Sequence, residues 1–154
     1  MSTTVLIRSK TTGGSADLPL VLRSVYLIGD YKMTLYRMLA ERPEEARISH
    51  KEMPSWEQHV AFLESRPYDY WYFIDVDGNL VGNTYLTDRN EIGIHLSPPW
   101  RGNGIGGEAV DELCHMHYRP YYLANIAPGN QASIAFFEAK GFDLVQHTYR
   151  FDNA

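Results

Sequence analysis

Ile94-His95-Leu96-Ser97-Pro98-Pro99-Trp100-Arg101-Gly102-Asn103-Gly104-Ile105-Gly106, continued by Gly107-Glu108-Ala109-Val110, is the stretch that decides how this chain folds. Ile94 and Leu96 alternate with other residues as in a strand, and Pro98-Pro99 ends that strand. From Gly106 to about His117 the apolar Ala109, Val110 and Leu113 recur at helical spacing. A glycine cluster therefore lies between a strand and a helix, where the first helical amides have no partner of their own. Glycine permits the tight turn and leaves no Cβ in the way of a phosphate, while the helix dipole adds a field that favours anions.

Three phosphate-type readings compete for this turn, beside the plain one of a glycine turn with no ligand. Gly102-Asn103-Gly104-Ile105-Gly106-Gly107 satisfies the spacing of a dinucleotide fingerprint. That fingerprint opens a domain and needs further strand and helix units behind it, and too little chain follows here. A P-loop requires Lys and then Ser or Thr after the last glycine, where this chain has Glu108-Ala109. What remains is an anion-binding turn late in a small α/β domain.

Working outward, Tyr68 to Val76 is dense in aromatic and β-branched residues, Asp77-Gly78-Asn79 is a tight-turn signal, and Leu80 to Leu86 continues as an antiparallel partner. Asn90 to Leu96 is the next strand. Upstream, Leu18 to Val25 reads as a strand, Asp30 as the cap of a helix carrying Met33, Tyr36 and Ala40 and ended by Pro43, and Pro54-Ser55 as the start of a second helix. In that second helix Trp56, Val60 and Leu63 form one stripe, which stops before Pro67. Downstream, Tyr121 to Ala127 reads as a strand, Asn130 to Lys140 as a helix and Phe142 to Phe151 as a final strand. The order implies an α/β (α+β) fold with a mixed, mostly antiparallel sheet of six to seven strands and about four helices. Residues 1–154 read as a single domain, with residues 1–16, including the linker-like Thr11-Thr12-Gly13-Gly14-Ser15, as a flexible arm or an edge strand.

Composition limits what such a domain can do. With 154 residues and 44% hydrophobic content the chain builds one real core. Its formal charge of −5 argues against broad nucleic-acid affinity, which needs a basic face. No stretch approaches the roughly 18 apolar residues of a membrane span, and the single Cys114 offers neither a disulfide nor a metal framework. Cys114-His115-Met116-His117 reads as a helix end, because adjacent helical positions point apart; no metal is expected, and the setting is taken as cytoplasmic.

The segment from Ile94 to Gly106 resembles the acetyl-CoA motif of the GNAT N-acetyltransferase superfamily, Arg/Gln-x-x-Gly-x-Gly/Ala behind a strand. Asn130-Gln131-Ala132-Ser133-Ile134-Ala135-Phe136-Phe137-Glu138-Ala139-Lys140-Gly141-Phe142 is similar to that family's second block. The resemblance implies a GNAT fold and acetyl-CoA as cosubstrate. It also implies that the amides of Arg101, Gly102, Asn103, Gly104, Ile105 and Gly106 receive the pyrophosphate, that Arg101 reaches a phosphate, and that the strand edge at Leu96 pairs with the pantetheine arm. Asn130 is expected to cap its helix and to bond the pantetheine.

Attack of an amine on a thioester needs removal of a proton from nitrogen, stabilisation of the carbonyl oxygen and protonation of the departing thiolate. Backbone donors near Leu96 suit the oxygen. Glu91 and His95, four apart on the strand entering the turn, are candidates for the nitrogen's proton; the plain alternatives are a structural hydrogen bond for Glu91 and a satisfied core histidine for His95. Where the family usually carries a tyrosine to protonate sulfur, this chain has Phe137, which cannot donate. Ser133, four residues earlier on the same helix face, is the candidate replacement, while Tyr85, Tyr121 and Tyr122 offer hydroxyls with no positional argument.

The acceptor depends on Ala40 to Arg66. Ser49-His50-Lys51, Trp56 to Leu63, Tyr72-Phe73-Ile74 and Val81-Gly82-Asn83 are similar to the branch that acetylates nucleotide-linked amino sugars of the pseudaminic-acid type. Glu91-Ile92-Gly93-Ile94 is similar to the ribosomal-protein N-terminal acetyltransferase branch. A small-molecule amine, amino sugars among them, is the expected acceptor; a protein N-terminus and a silent acyl-CoA-binding module are the alternatives. An acidic set, Glu41, Glu44, Glu45 and Glu52, suits a cationic acceptor or is a solvated face. No nucleic acid or membrane partner is expected, and the protein is expected to be a monomer or homodimer.

Overall fold

The computed structural model describes residues 5–7, 19–43, 46 and 52–153. Its centre is a five-stranded antiparallel sheet in the order β1 (Val5–Ile7), β2 (Leu20–Ser24), β3 (Tyr70–Val76), β4 (Asn79–Leu86) and β5 (Ile92–Leu96). The β3–β4 hairpin closes where Asp77 and Gly78 both take positive φ, 52° and 86°, the turn geometry that matches strand twist. Its register shifts at Ile74/Asp75, and Asp75 uses its carboxylate to accept from Arg23 Nε at 2.6 Å and from the Gly78 amide at 2.8 Å. Both halves of the hairpin therefore arise from the residues that signal it.

Side-chain alternation gives the sheet two apolar faces, each covered by helices. On one face Leu22, Tyr72, Ile74, Leu86 and Ile92 pack with α3 (Ile105–Met116) and α4 (Gln131–Ala139) through Ala109, Val110, Leu113 and Phe137. On the other, Trp71 and Phe73 pack with α1 (Tyr31–Ala40) and α2 (Trp56–Glu64) through Leu35, Met38 and Leu63. Asp30 stands at the N-cap of α1 without a side-chain bond, whereas Ser55 and Gln58 cap α2 reciprocally. The buried stripe of α2 is His59 and Leu63, not Trp56, because His59 Nε2 finds the Lys32 carbonyl at 2.9 Å. No helix among the described residues is long and apolar enough to cross a membrane.

Two expected strands do not form. Of Tyr121 to Ala127, only Leu123 pairs, in a parallel bridge with Glu91, because neighbouring residues are drawn elsewhere. Tyr122 sends its hydroxyl to the Cys114 and His117 carbonyls at the end of α3, and Asn125 bonds Glu91. From Phe142 to Phe151 no residue joins a ladder: strand-forming composition needs a neighbouring edge, and this segment pairs with none among the described residues. The sheet of the described residues therefore has five strands, not six or seven. Thr11 to Ser15, Glu44, Glu45 and Ser49-His50-Lys51 lie outside the described residues.

Candidate functional site

At the end of β5 the chain makes one 3-10 turn, Pro98–Trp100, and enters the glycine cluster. Gly102 and Gly104 take φ of +81° and +79°, the left-handed region in which a side chain is strained, and a Cβ built on either meets nothing within 4 Å. The cluster is thus an open backbone cradle. Gly104 is the N-cap of α3, and the first α-helical bond there runs from the Glu108 amide to the Gly104 carbonyl. That leaves the amides of Ile105, Gly106 and Gly107 as the helix's unpaired donors, directed where an anion would sit. Arg101 is exposed, and its Nε donates to the Leu96 carbonyl at 2.9 Å, tying the turn back to the strand.

Beside this cradle β5 is the outer strand of the described sheet. Ser97 N donates to Val81 O and Thr87 N to Glu91 O, so the odd residues of β5 face β4. Ile92 N donates to Leu123 O, so the even residues face outward, and Ile94 and the Leu96 N–H present backbone groups to the open side, while the Leu96 carbonyl accepts from Arg101. Beyond the isolated Glu91–Leu123 bridge, no further backbone pairing to this side of β5 is found among the described residues.

The two candidate bases are held apart. Glu91 receives Thr87 Oγ1 at 3.3 Å and the Asn125 side-chain amide, so both its oxygens carry structural bonds. His95 is buried, and its Nε2 has no hydrogen-bond partner among the described residues. The nearest carboxylate oxygen is Glu41 Oε2 at 4.0 Å, while Glu41 Oε1 accepts from Ser97 Oγ at 3.2 Å. Burial, with the positive charges of Arg42 and Arg101, pushes His95 down to about 4, so its imidazole is neutral at physiological pH. Between Glu91 and His95 the strand is covered by Tyr85, whose ring lies directly over its cross-strand partner Gly93. Tyr85 is stacked on Tyr68 with centroids 3.8 Å apart and rings 5° from parallel.

On α4, Asn130 accepts from the Ser133 amide at 3.2 Å, a conventional N-cap that leaves its own NH2 group for other use. Ser133 is half-buried, and Phe137 is buried between Phe136 and Phe142. At the far end of α3, His117 is stacked on Tyr70 and lies 2.7 Å from the Tyr72 hydroxyl through Nε2. Two residues gain a place that sequence did not give them. Tyr85 stands over β5, and Glu41, read only as part of an acidic set, meets residues more than fifty positions away. A contact of that separation leaves no local signal; the pairing of Tyr85 with Gly93 was legible only once the register of the hairpin was known.

Comparison with known proteins follows the same lines. A domain from Methanocaldococcus jannaschii is similar in structure with a TM-score of 0.69 and 24% identity, covering 84% of this chain and 91% of that one. A ribosomal L7/L12 alpha-N-protein acetyltransferase in complex with coenzyme A gives 0.64 and 19%, covering 82% and 81%. A microcin C7 self-immunity acetyltransferase in complex with acetyl-CoA and AMP gives 0.58 and 17%, covering 80% and 78%. No curated protein matches the chain. The model of the acetyltransferase (GNAT) family matches residues 33–142, a span that takes in most of α1, the glycine cradle and the whole of α4, and the chain therefore belongs to the GNAT acetyltransferase family.

Proposed function

We propose that this acetyltransferase moves the acetyl group of acetyl-CoA, in one ternary complex, onto the primary amine of a small molecule, with amino sugars as the leading class. The observation that carries the donor half is the continuity of the open β5 edge with the cradle at Gly102 to Gly106. An extended thioester pairs along Ile94 and Leu96 while its pyrophosphate meets the free amides of α3. In the reaction a C–N bond forms as the C–S bond breaks, the nitrogen loses a proton, and sulfur leaves as a thiolate that must be protonated.

The acceptor half rests on the opposite side of β5. Glu41 offers negative charge to an incoming ammonium, and the neutral His95 offers an unpartnered Nε2. An imidazole of such low basicity is a poor base for a free ammonium. It is better matched to the far more acidic nitrogen of the tetrahedral adduct, so its work falls after attack. Glu91 acts at one remove, holding Asn125 beside β5. For sulfur, Ser133 and the Tyr85 hydroxyl are the two donors within this arrangement. The stacked Tyr68–Tyr85 face is the type of surface on which a sugar ring or a base lies flat.

A thiol-release assay with acetyl-CoA and a panel of amino sugars, polyamines and peptides tests the reading, with binding of acetyl-CoA followed separately by thermal shift. Release with amino sugars well above peptides is the expected result. Release confined to peptide N-termini moves the acceptor to a protein, and binding without release on any amine makes the domain a silent acyl-CoA module.

A further inference from the structure

Between Glu91 and His95 on the acceptor side of β5 stands Gly93, a position with no side chain of its own, and a ring from β4 fills it. An ideal Cβ at Gly93 would lie 2.0 Å from Tyr85 Cζ and 2.5 Å from the Tyr85 hydroxyl oxygen, so the head of the phenol covers the strand there. The ring is held on two sides. It lies parallel to Tyr68 at 3.8 Å and edge-on to Trp71, whose indole Nε1 donates to Asn83 Oδ1 at 3.0 Å. Tyr68 in turn meets Trp71 edge-on at 4.7 Å and Phe62 at 5.9 Å. Tyr85 is therefore one course of a packed aromatic wall, and its position over β5 is set by its neighbours.

The outer backbone of β5 is taken up at both ends. At one, Leu123 bonds the Asn90 carbonyl and the Ile92 amide at 2.8 Å each; at the other, the Leu96 carbonyl accepts from Arg101. Between these ends lie the Ile92 carbonyl, both backbone groups of Ile94 and the Leu96 amide. A thioester arm entering from the glycine cradle runs from Leu96 towards Ile92, so its acyl end arrives beside Gly93. An acyl chain longer than acetyl then has three directions. Along the edge it meets the Leu123 bridge. On the face covered by α3 and α4 it meets Ile92, Ile94, Tyr122 and Ala124, all packed into the main core. On the opposite face the strand itself is bare at Gly93, and the Tyr85 phenol occupies that place. We propose that Tyr85 sets the acyl-chain length this enzyme accepts, closing over Gly93 a space that would otherwise take propionyl or butyryl groups. That role rests on the donor path along β5 proposed above. A methylene forced into a filled pocket costs about 10–200-fold, enough for one ring to separate acetyl from its longer homologues.

Dissociation constants of acetyl-, propionyl- and butyryl-CoA, measured by calorimetry on the full chain without any acceptor, test the role of Tyr85 independently of the amine. The parent is expected to favour acetyl- over butyryl-CoA by about tenfold or more, and Tyr85→Ala to reduce that preference to roughly threefold or less. Tyr85→Phe keeps the ring and is expected to keep the parent's preference, which separates the bulk of the phenol from any use of its hydroxyl. Gly93→Ala in the Tyr85→Ala background returns one methyl group to the opened space and is expected to restore part of the preference. Circular dichroism checks each fold; should Tyr85→Ala not fold, Tyr85→Leu and Tyr85→Val carry the same expectation. Gly104→Asp separates this role from the donor path on which it rests. Loss of all three CoA esters in that variant upholds the path and leaves the preference alone to judge Tyr85, whereas retained binding overturns the path and this role with it. A parent that binds butyryl-CoA as tightly as acetyl-CoA, a preference unmoved in Tyr85→Ala, or one relaxed equally by Tyr85→Phe would each overturn the proposal.

Discussion

Gly93→Ala forces a choice on the structure. An ideal Cβ at this position falls 2.0 Å from Tyr85 Cζ and 2.1 Å from Cε1. The ring cannot simply swing aside, because it is stacked on Tyr68 at 3.8 Å and meets Trp71 edge-on at 6.2 Å. Loss of the stack costs about 0.5–1.5 kcal/mol and the overpacking about 1–3 kcal/mol, so the single variant is expected to lose about 2–4 kcal/mol. At about 2–4 °C per kcal/mol for a domain of this size, Tm falls by roughly 4–16 °C. In a Tyr85→Ala background the added methyl has room, and alanine is the better strand residue by roughly 0.5–1 kcal/mol, so the same change turns stabilising. A double-mutant cycle by urea unfolding, with m-values checked for constancy, is therefore expected to show a coupling of about 3 kcal/mol. Additive effects, or a Gly93→Ala protein as stable as the parent, would refute the placement of Tyr85 over β5 and with it the case for its hydroxyl near the thioester.

Gly104→Asp puts a carboxylate into the open cradle and is expected to abolish thermal stabilisation by acetyl-CoA while the unliganded protein still folds; retained stabilisation would move the pyrophosphate elsewhere. His95 makes stability pH-dependent with a definite sign: its folded pKa, about 4, lies below the unfolded value of 6.5, so the unfolded state binds the proton first. Stability from this residue is complete above about pH 6.5 and falls as pH drops towards 4, by up to about 3 kcal/mol; His95→Gln should flatten that part of the curve measured by urea titration, and an unchanged slope would show that His95 is not held neutral. Ser133→Ala is expected to lower turnover with acetyl-CoA affinity nearly unchanged, and Phe137→Tyr to restore part of the loss, read by single-turnover kinetics so that product release does not mask the step.

Local signals carried through to the structure wherever short-range chemistry decides the outcome. Ala109, Val110 and Leu113 face inward on α3, Asn130 caps α4, and Asp77-Gly78 closes the hairpin, because spacing, capping and positive φ are properties of a few adjacent residues. The two strands that failed depend on something distant. Tyr121 to Ala127 becomes a strand only if its residues keep to a ladder, and Tyr122 and Asn125 bond the end of α3 and Glu91 instead. Phe142 to Phe151 has the composition but no neighbour among the described residues. The candidate site divides in the same way: the glycine turn ahead of α3 is local and was legible, whereas Glu41 beside His95 joins two elements with β3 and β4 between them in sequence.

In the proposed reaction, the residue at position 137 bears on the side from which sulfur is given its proton. Phe137 is buried with α3 and α4 on one face of the sheet, and its ring carries no donor to the cleft. Ser133 lies one turn before it on α4, the helix that covers that same face. Tyr85 approaches from the opposite face, where it packs with Tyr68 and Trp71 among the residues covered by α1 and α2. Tyr122 is already committed to the carbonyls at the end of α3, and Tyr121 is exposed. A thiolate departing along the outer edge of β5 can thus be met by a serine on the helix side or by a phenol on the acceptor side. The two differ in what else they touch. A donor on the acceptor side is covered or displaced by the amine that binds there, so its contribution varies with acceptor size. A donor on α4 is indifferent to the acceptor and acts alike on all of them. The dependence of the Ser133→Ala and Tyr85→Phe defects on the bulk of the amine therefore identifies the donor more directly than the size of either defect alone.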